Sequence, residues 1–490
     1  MSMTKRNHYT NRIIFSTLEE LVPQGHEVRK LEKAIDWTFI YPLVEKLYSK
    51  NGRPSVDPVV LFKMIFINYI FGYNSMRKTC REIEVNVAYR WFLGISFEEA
   101  VPNYSTWSQN YIRRYGESEV FEKIFSHILE EAMICGFINT ETVYGDSTHT
   151  KANANKNKFT KAEVEFTKKW YEEDLLEEIN EDRKAHGKKE IDGITRKEYD
   201  FNEKTGEAVE RIKKKEIKQS KTDPESGDYH KGEHEKCFAY SNQTFCDENG
   251  FVLTVHTVPG NVHDSVSFYE AYEKLNESFG DIIKDICLDA GYKTPPILKT
   301  ITDNNQIPFM PYKRPMTKDG FFRKYEFIYD EKEDQYICPN GKKLKYTTTD
   351  RTGYKEYKSN KKNCEGCPFI EKCTHSKNHQ KLIVRHVWEE YVELAEKVRH
   401  TDEWKEKYPK RKQTIERVFA DCKENHCLRF TRVKGLKKNS HVALLIFAGH
   451  NLQKMGKRKW KRFHKIHGCL TSILNFDRNR SFFLAKQKVA

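Results

Sequence analysis

"EKCFAYSNQTFCDENGFVLTVHTVPGN", residues 235–261, decides the fold class. Two apolar, β-branched and aromatic runs flank Asp247-Glu248-Asn249-Gly250, a pattern that predicts two antiparallel strands joined by a tight turn. Downstream, Val262 to Leu275 reads as a helix. "DIIKDICLDAGY" (281–292) then reads as a strand, and "IPFMPY" (307–312) adds another. Upstream, "TETVYGD" (140–146) has the same strand composition. Strand, hairpin, helix, strand predicts a mixed α/β sheet.

Residues 1–139 read differently. "VDPVVLFKMIFINYIFGY" (56–73) offers Asp57 as a cap, Pro58 in the first turn and Gly72 as a stop, which predicts a helix. "NSMRKTCREIEVNVAYRWFLGIS" (74–96) predicts two short helices, the first capped by Asn74 or Ser75, with a turn near Val85-Asn86. The pair fits a helix-turn-helix and equally an ordinary helical bundle. The expected organisation is a helical DNA-binding domain (1–139) followed by the α/β domain (140–315). Residues 158–220, dense in Lys and Glu, predict exposed helices or partial disorder inside that domain. A Cys-rich module (316–385), a return of helices (386–456) and a basic tail (457–490) complete the chain.

Charge narrows the partners. Lys plus Arg total 85 against 71 Asp plus Glu, a net of +14, which favours an anionic partner such as nucleic acid. The first residues lack an apolar core long enough for a signal peptide. The most apolar run, 59–71, is too short to span a bilayer and contains Lys63. The 12 cysteines therefore read as reduced thiols, and the expected compartment is the cytoplasm, with no membrane partner.

Three carboxylates stand out. Asp146 reads as the end of one strand and Asp289 as the end of another. Glu416 lies in "RKQTIERVFADCKENH" (411–426). Asp146 alone also reads as a plain turn residue. In the third segment Ile415, Val418, Phe419 and Cys422 form an apolar stripe, which puts Lys412, Glu416 and Lys423 along its margin. Oxygen ligands of this kind suit magnesium-class ions, and two such ions serve phosphodiester chemistry.

Co-linear motifs make the pattern specific: "GRPSVDPVVLFKMIFINYIFGY" (52–73), "PNYSTWSQ" (102–109), "VYGDSTHTKANANK" (143–156), "DPESGDYHKGEHEKCFAY" (223–240), "PGNVHDS" (259–265), "LDAGYKT" (288–294), "CEGCPFIEKC" (364–373) and "IERVFADCKENHCLRFTRVKGL" (415–436). Over nearly its whole length the chain resembles the DDE transposases of bacterial insertion sequences. The resemblance implies a ribonuclease-H-like catalytic domain with Asp146, Asp289 and Glu416 as its metal-holding acids. It also implies two Mg2+ or Mn2+ ions and cleavage at element ends with joining of 3′ hydroxyls to target DNA. Double-stranded DNA would be the partner, and a homodimer or larger assembly the active complex. Some relatives carry a Tyr, Arg, Glu, Lys signature. Glu416 and Lys423 keep its last interval, whereas Tyr408 and Arg411 stand one residue too far upstream. A nuclease of the same fold and a DNA-binding repressor are the competing readings.

Other residues carry narrower expectations. Cys338, Cys364, Cys367 and Cys373 suit a structural zinc site, with His375 and His379 as alternatives to Cys373, against a reading as packing thiols. His149, Lys151, Lys412 and Lys423 are candidates for DNA phosphates. Arg77, Lys78, Arg81 and Arg90 are candidates on the paired helices, the second of which would enter a major groove. His263-Asp264 reads first as a turn leading into a capped helix. The segment 453–465 mixes cations with Trp460 and Phe463, as a nucleic-acid contact or a solvated helix end.

Overall fold

In the computed structural model the described residues are 13, 15–49, 51–52, 54–165, 169–194, 198–201, 208–211, 214–231, 235–313 and 319–486. They form two compact units, Met1–Ile138 with Val418–Ala490, and Asn139–Arg417. Among the described residues no helix is long and apolar enough to cross a membrane.

The first unit is helical. Its principal front elements are α1 (Glu27–Glu32), α2 (Pro58–Ile70), α3 (Met76–Val85), α4 (Val87–Leu93) and α5 (Val120–Ile134). Asp57 caps α2 by accepting from Val59 N at 2.7 Å, Pro58 fills the first turn, and Gly72 (φ +69°) follows the end, as the sequence leads one to expect. The helix is buried on most sides, so Lys63 needs internal partners. Its ammonium donates to Glu32 at 2.7 Å and to Phe92 O at 3.0 Å. The C-terminal helix Leu436–Lys486 packs on α1, α2 and α5. The front segment therefore completes its core with residues from the far end of the chain.

Asn86 alone separates α3 from α4, and its side chain caps α4 by accepting from Ala88 N at 2.9 Å. The groove-reading role expected of the second helix fails here. In α4, Ala88, Tyr89, Arg90, Phe92 and Leu93 are all buried. Arg90 is only 6% exposed and spends its guanidinium on the carbonyls of Glu84, Ser96 and Glu99. Arg90 is a structural cation, not a DNA contact. Arg77, Lys78 and Arg81 on α3 are exposed.

The second unit is built on a six-stranded sheet. Its strands are β1 (Thr142–Lys151), β2 (Gly227–Lys231), β3 (Glu235–Asp247), β4 (Val252–Pro259), β5 (Asp285–Cys287) and β6 (Ile307–Phe309), with α6 (Asp264–Phe279) between β4 and β5. The order is β6-β5-β1-β3, after which β3 pairs with β2 along its first residues and with β4 along the rest. β1 runs antiparallel to β3 and parallel to β5, and β5 runs parallel to β6. The expected hairpin closes as predicted: Gly250 N donates to Asp247 O at 3.0 Å and Phe251 N to Asp247 Oδ1 at 2.7 Å. Phe268, Ala271, Tyr272 and Leu275 bury one face of α6, which packs on β3 and β4.

The described residues of the charged segment 158–220 include more regular structure than its composition suggests. Phe159–Glu165 pairs antiparallel with Lys214–Ser220, and helix Glu172–Ala185 buries Leu175 and Ile179 against Trp388. The Cys-rich stretch holds a five-stranded antiparallel sheet running from Ile328 to His386, cored by Phe327, Tyr336, Leu344, Tyr357 and Ile383.

Candidate active site

Asp146 does not end its strand. β1 continues through Lys151 because β3, 13 residues long, keeps pairing with it from Asp146↔Thr244 to Lys151↔Ala239. What stops is the parallel neighbour: β5 pairs only Thr142 to Tyr144 with Asp285 to Cys287. Asp146 and Asp289 thus stand at equivalent positions, each two residues beyond the last paired residues of adjacent parallel strands. The simple turn reading of Asp146 is excluded.

The backbone at this point has no room for side chains. A Cβ on Gly145 would lie 2.5 Å from the Phe245 ring and 2.6 Å from Leu288 Cδ2, so glycine lets β1 sit between its neighbours. Asp289 caps a short helical turn by accepting from Gly291 N at 2.8 Å. Asp146 Oδ1 accepts from Ser147 N at 2.8 Å.

Arg411 lies behind this pair. It is buried, and its Nη2 donates to Asp146 Oδ2 at 2.9 Å. Its Nη1 donates to the carbonyls of Gly145 (2.7 Å) and Cys287 (3.1 Å), so one guanidinium fastens β1 to β5 beside both acids. The irregular spacing of Tyr408 and Arg411 gave no warning of this. Tyr408 stacks on Trp404 with ring centroids 4.8 Å apart. Burial pushes its hydroxyl up to about 12, with Asp289 and Asp146 among the charges contributing.

A third aspartate joins them. Asp264, the first residue of α6, bonds to Ser147, and its carboxyl is raised by burial and by Asp289. The His263 side chain caps the helix, accepting from Ser265 N at 3.2 Å, which is the structural role expected of this motif. Burial pushes Asp146 up to about 6; Asp289 and Asp264 add to the rise and Arg411 opposes it. At Asp146, burial therefore outweighs the arginine beside it.

Glu416 is exposed in the first turn of α7 (Ile415–Asn425) and has no hydrogen bond or ion pair among the described residues. The stripe Ile415, Val418, Phe419 and Cys422 is buried as expected. Lys412 is not on this helix. A 3-10 segment, Tyr408–Gln413, ends at Thr414, whose ψ of −100° and bond to Lys410 O at 2.9 Å break the path. The three acids do not form a single tight cage. Among the described residues, only Asp421, His426 and His450 bring donor atoms within 4.8 Å of one another.

Two family models match the chain: the transposase DDE domain over residues 337–456 and the transposase domain DUF772 over residues 16–113. The family is that of DDE transposases of the insertion-sequence type. No curated protein and no solved structure matches the chain. The DDE-domain match makes this transposase an enzyme of polynucleotidyl-transfer type that acts on DNA. It contains Arg411 and Glu416, while Asp146 and Asp289 lie before it.

The remaining candidates in this transposase fare unevenly. His149 stacks on Tyr229 at 3.7 Å, and Lys151 pairs with Glu235 at 2.7 Å, so both have protein partners. Lys412 is exposed and Lys423 half-buried in the last turn of α7. Cys338, Cys364, Cys367 and Cys373 are half-buried. Lys342 N donates to Cys338 Sγ at 3.3 Å and Asn340 Nδ2 to Cys367 Sγ at 3.5 Å. Burial raises the Cys373 thiol, and the other three sulfurs add to the effect against Lys381.

Proposed function

We propose that this transposase cuts DNA at the ends of its element and joins the freed 3′ hydroxyls to target DNA, with Asp146, Asp289 and Glu416 as its metal-holding acids. The observation that carries the reading is the matched placement of Asp146 and Asp289 on adjacent parallel strands, where burial, with Asp289 and Asp264 nearby, raises the Asp146 carboxyl. An antiparallel meander followed by two strands parallel to the first supports a ribonuclease-H-like domain. All three acids offer the oxygen donors that hard divalent cations prefer. Magnesium-class ions, when bound, supply the positive charge that activates an attacking oxygen and stabilises a leaving one. The chain's own part is to hold β1 and β5 in register through Arg411 and Gly145 and to present the carboxylates at their ends. Asp264 orients the pocket through Ser147. The working complex contains two or more copies on double-stranded DNA.

In this reading the four module cysteines are the candidates for a structural zinc ion, which would have to draw their sulfurs together, since no three of them lie within 4.8 Å of one another. The N–H donors onto two of the sulfurs support the assignment, as such bonds orient and stabilise metal-bound thiolates. The test of function is incubation of purified protein with a duplex bearing the element's terminal repeat, a target duplex and Mg2+. Joined product supports the proposal. Cleavage without joining favours a nuclease, and binding without cleavage a repressor.

The exposed face of α3 supplies part of the DNA grip through Arg77, Lys78 and Arg81. His149, Lys151, Lys412 and Lys423 line further candidate phosphate positions. Replacing Arg77, Lys78 and Arg81 together by Ala in the full chain should weaken binding to end DNA. The slope of log affinity against log salt should become shallower by roughly two to three, since each phosphate contact contributes about 0.9. An unchanged slope removes α3 from the interface.

A further inference from the structure

We propose a metal site in the helical unit, formed by Asp421, His426 and His450 and suited to zinc or a similar borderline divalent ion. It is independent of the reading of the catalytic acids. Asp421 is on α7, His426 just beyond its end, and His450 on the C-terminal helix. Asp421 Oδ2 lies 3.0 Å from His450 Nδ1 and 3.4 Å from His426 Nε2. The two histidines are 6% and 1% exposed.

The hydrogen-bond partners of these side chains favour a cation among them. His426 Nδ1 lies 3.3 Å from Tyr69 O, a carbonyl that can only accept, so this nitrogen carries the proton. In the neutral ring Nε2 then presents a lone pair. It faces the carboxylate oxygen, another acceptor, and it is buried without a hydrogen bond. Two acceptors facing each other out of water are costly unless something positive lies between them. A proton would serve only by making a buried imidazolium. A metal ion serves without it, and a backbone carbonyl on the far nitrogen is the usual support of a ligating histidine.

The spacing fits an ion. Ligands about 2.0–2.1 Å from a tetrahedral zinc stand about 3.3 Å apart, and the distances of 3.0 and 3.4 Å bracket that edge. Asn425 Nδ2 donates to Asp421 Oδ1 at 2.7 Å and leaves Oδ2 for the shared corner. Imidazole and carboxylate donors select zinc-like ions over magnesium. The Asp421 side chain is 35% exposed, which leaves solvent access for a fourth ligand. Bound there, the ion ties the end of α7 and the turn beyond it to the C-terminal helix.

Cobalt(II) loaded into metal-stripped full-length protein distinguishes this site from the cysteines. Thiolate ligands give intense near-ultraviolet charge-transfer absorption, whereas histidine ligands give hyperfine-shifted, exchangeable imidazole N–H signals in proton NMR. We expect wild-type protein to show such signals from two rings. His426→Gln and His450→Gln, checked for folding by circular dichroism, should lose them while keeping the thiolate absorption. Wild-type cobalt protein without signals from two rings overturns the proposal whether or not the variants fold. Folded variants that retain both signals overturn it too.

Discussion

Asp146→Asn should abolish cleavage, by at least about a thousand-fold or roughly 4 kcal/mol of barrier, while making the metal-free protein more stable at neutral pH. Both effects come from one carboxylate. Burial, reinforced by Asp289 and Asp264, raises Asp146 from 3.8 to about 6 in the folded chain. Between those two values the folded state keeps a proton that the unfolded chain has released, so stability falls as pH rises through the window. Above about 6 the cost is fully present. That displacement corresponds to about 3 kcal/mol, less some screening because the side chain is 23% exposed. A neutral amide removes that charge, its one oxygen keeping the bond from Ser147 or from Arg411 but not both. Denaturant melts should therefore show the variant more stable than wild type at pH 7.5 and close to it at pH 4. Mg2+ should stabilise wild type and leave the variant nearly unmoved. A variant that is less stable at pH 7.5, or that still cleaves, removes Asp146 from the metal-holding role.

The local features of this chain were legible in its sequence. A cap at Asp57 with Pro58 behind it, the turn at Asp247–Gly250 and the stripe from Ile415 to Cys422 each depend on residues within one or two turns of each other, and each appears as expected. The misreadings arise where a distant partner decides. Asp146 looked like a strand end because β1 loses hydrophobic character there, yet pairing with β3 carries it five residues further. Arg90 looked like an exposed cation beside Arg77, Lys78 and Arg81, but three carbonyls draw it inward. Lys412 seemed continuous with α7 until the backbone turned at Thr414. The Lys- and Glu-bearing stretches 158–165 and 214–220 hid two strands that stabilise each other by pairing. Asp264, read as part of a capped turn, is that and also a neighbour of the acids, a fact only the packing of α6 on the sheet supplies.

Arg411→Ala should be the most destabilising single change near the site, by about 3–5 kcal/mol, because it strips one partner from a buried ion pair and leaves two buried carbonyls without their donor. Arg411→Lys should recover only part of this, since an ammonium cannot reproduce a planar fork shared among Gly145 O, Cys287 O and Asp146 Oδ2. Arg411→Gln separates charge from packing. Arg411 holds the Asp146 carboxyl down against burial, so its neutralisation should carry that carboxyl above about 6. The pH at which Mg2+ begins to stabilise the protein should then move upward. Denaturant midpoints for the three variants, with the Mg2+ response of Arg411→Gln followed across pH 5 to 9, measure both effects. A loss under about 0.5 kcal/mol in Arg411→Ala, the range of an ordinary surface change, would mean that β1 and β5 hold their register without the guanidinium. The matched position of Asp146 and Asp289 would then rest on strand pairing alone.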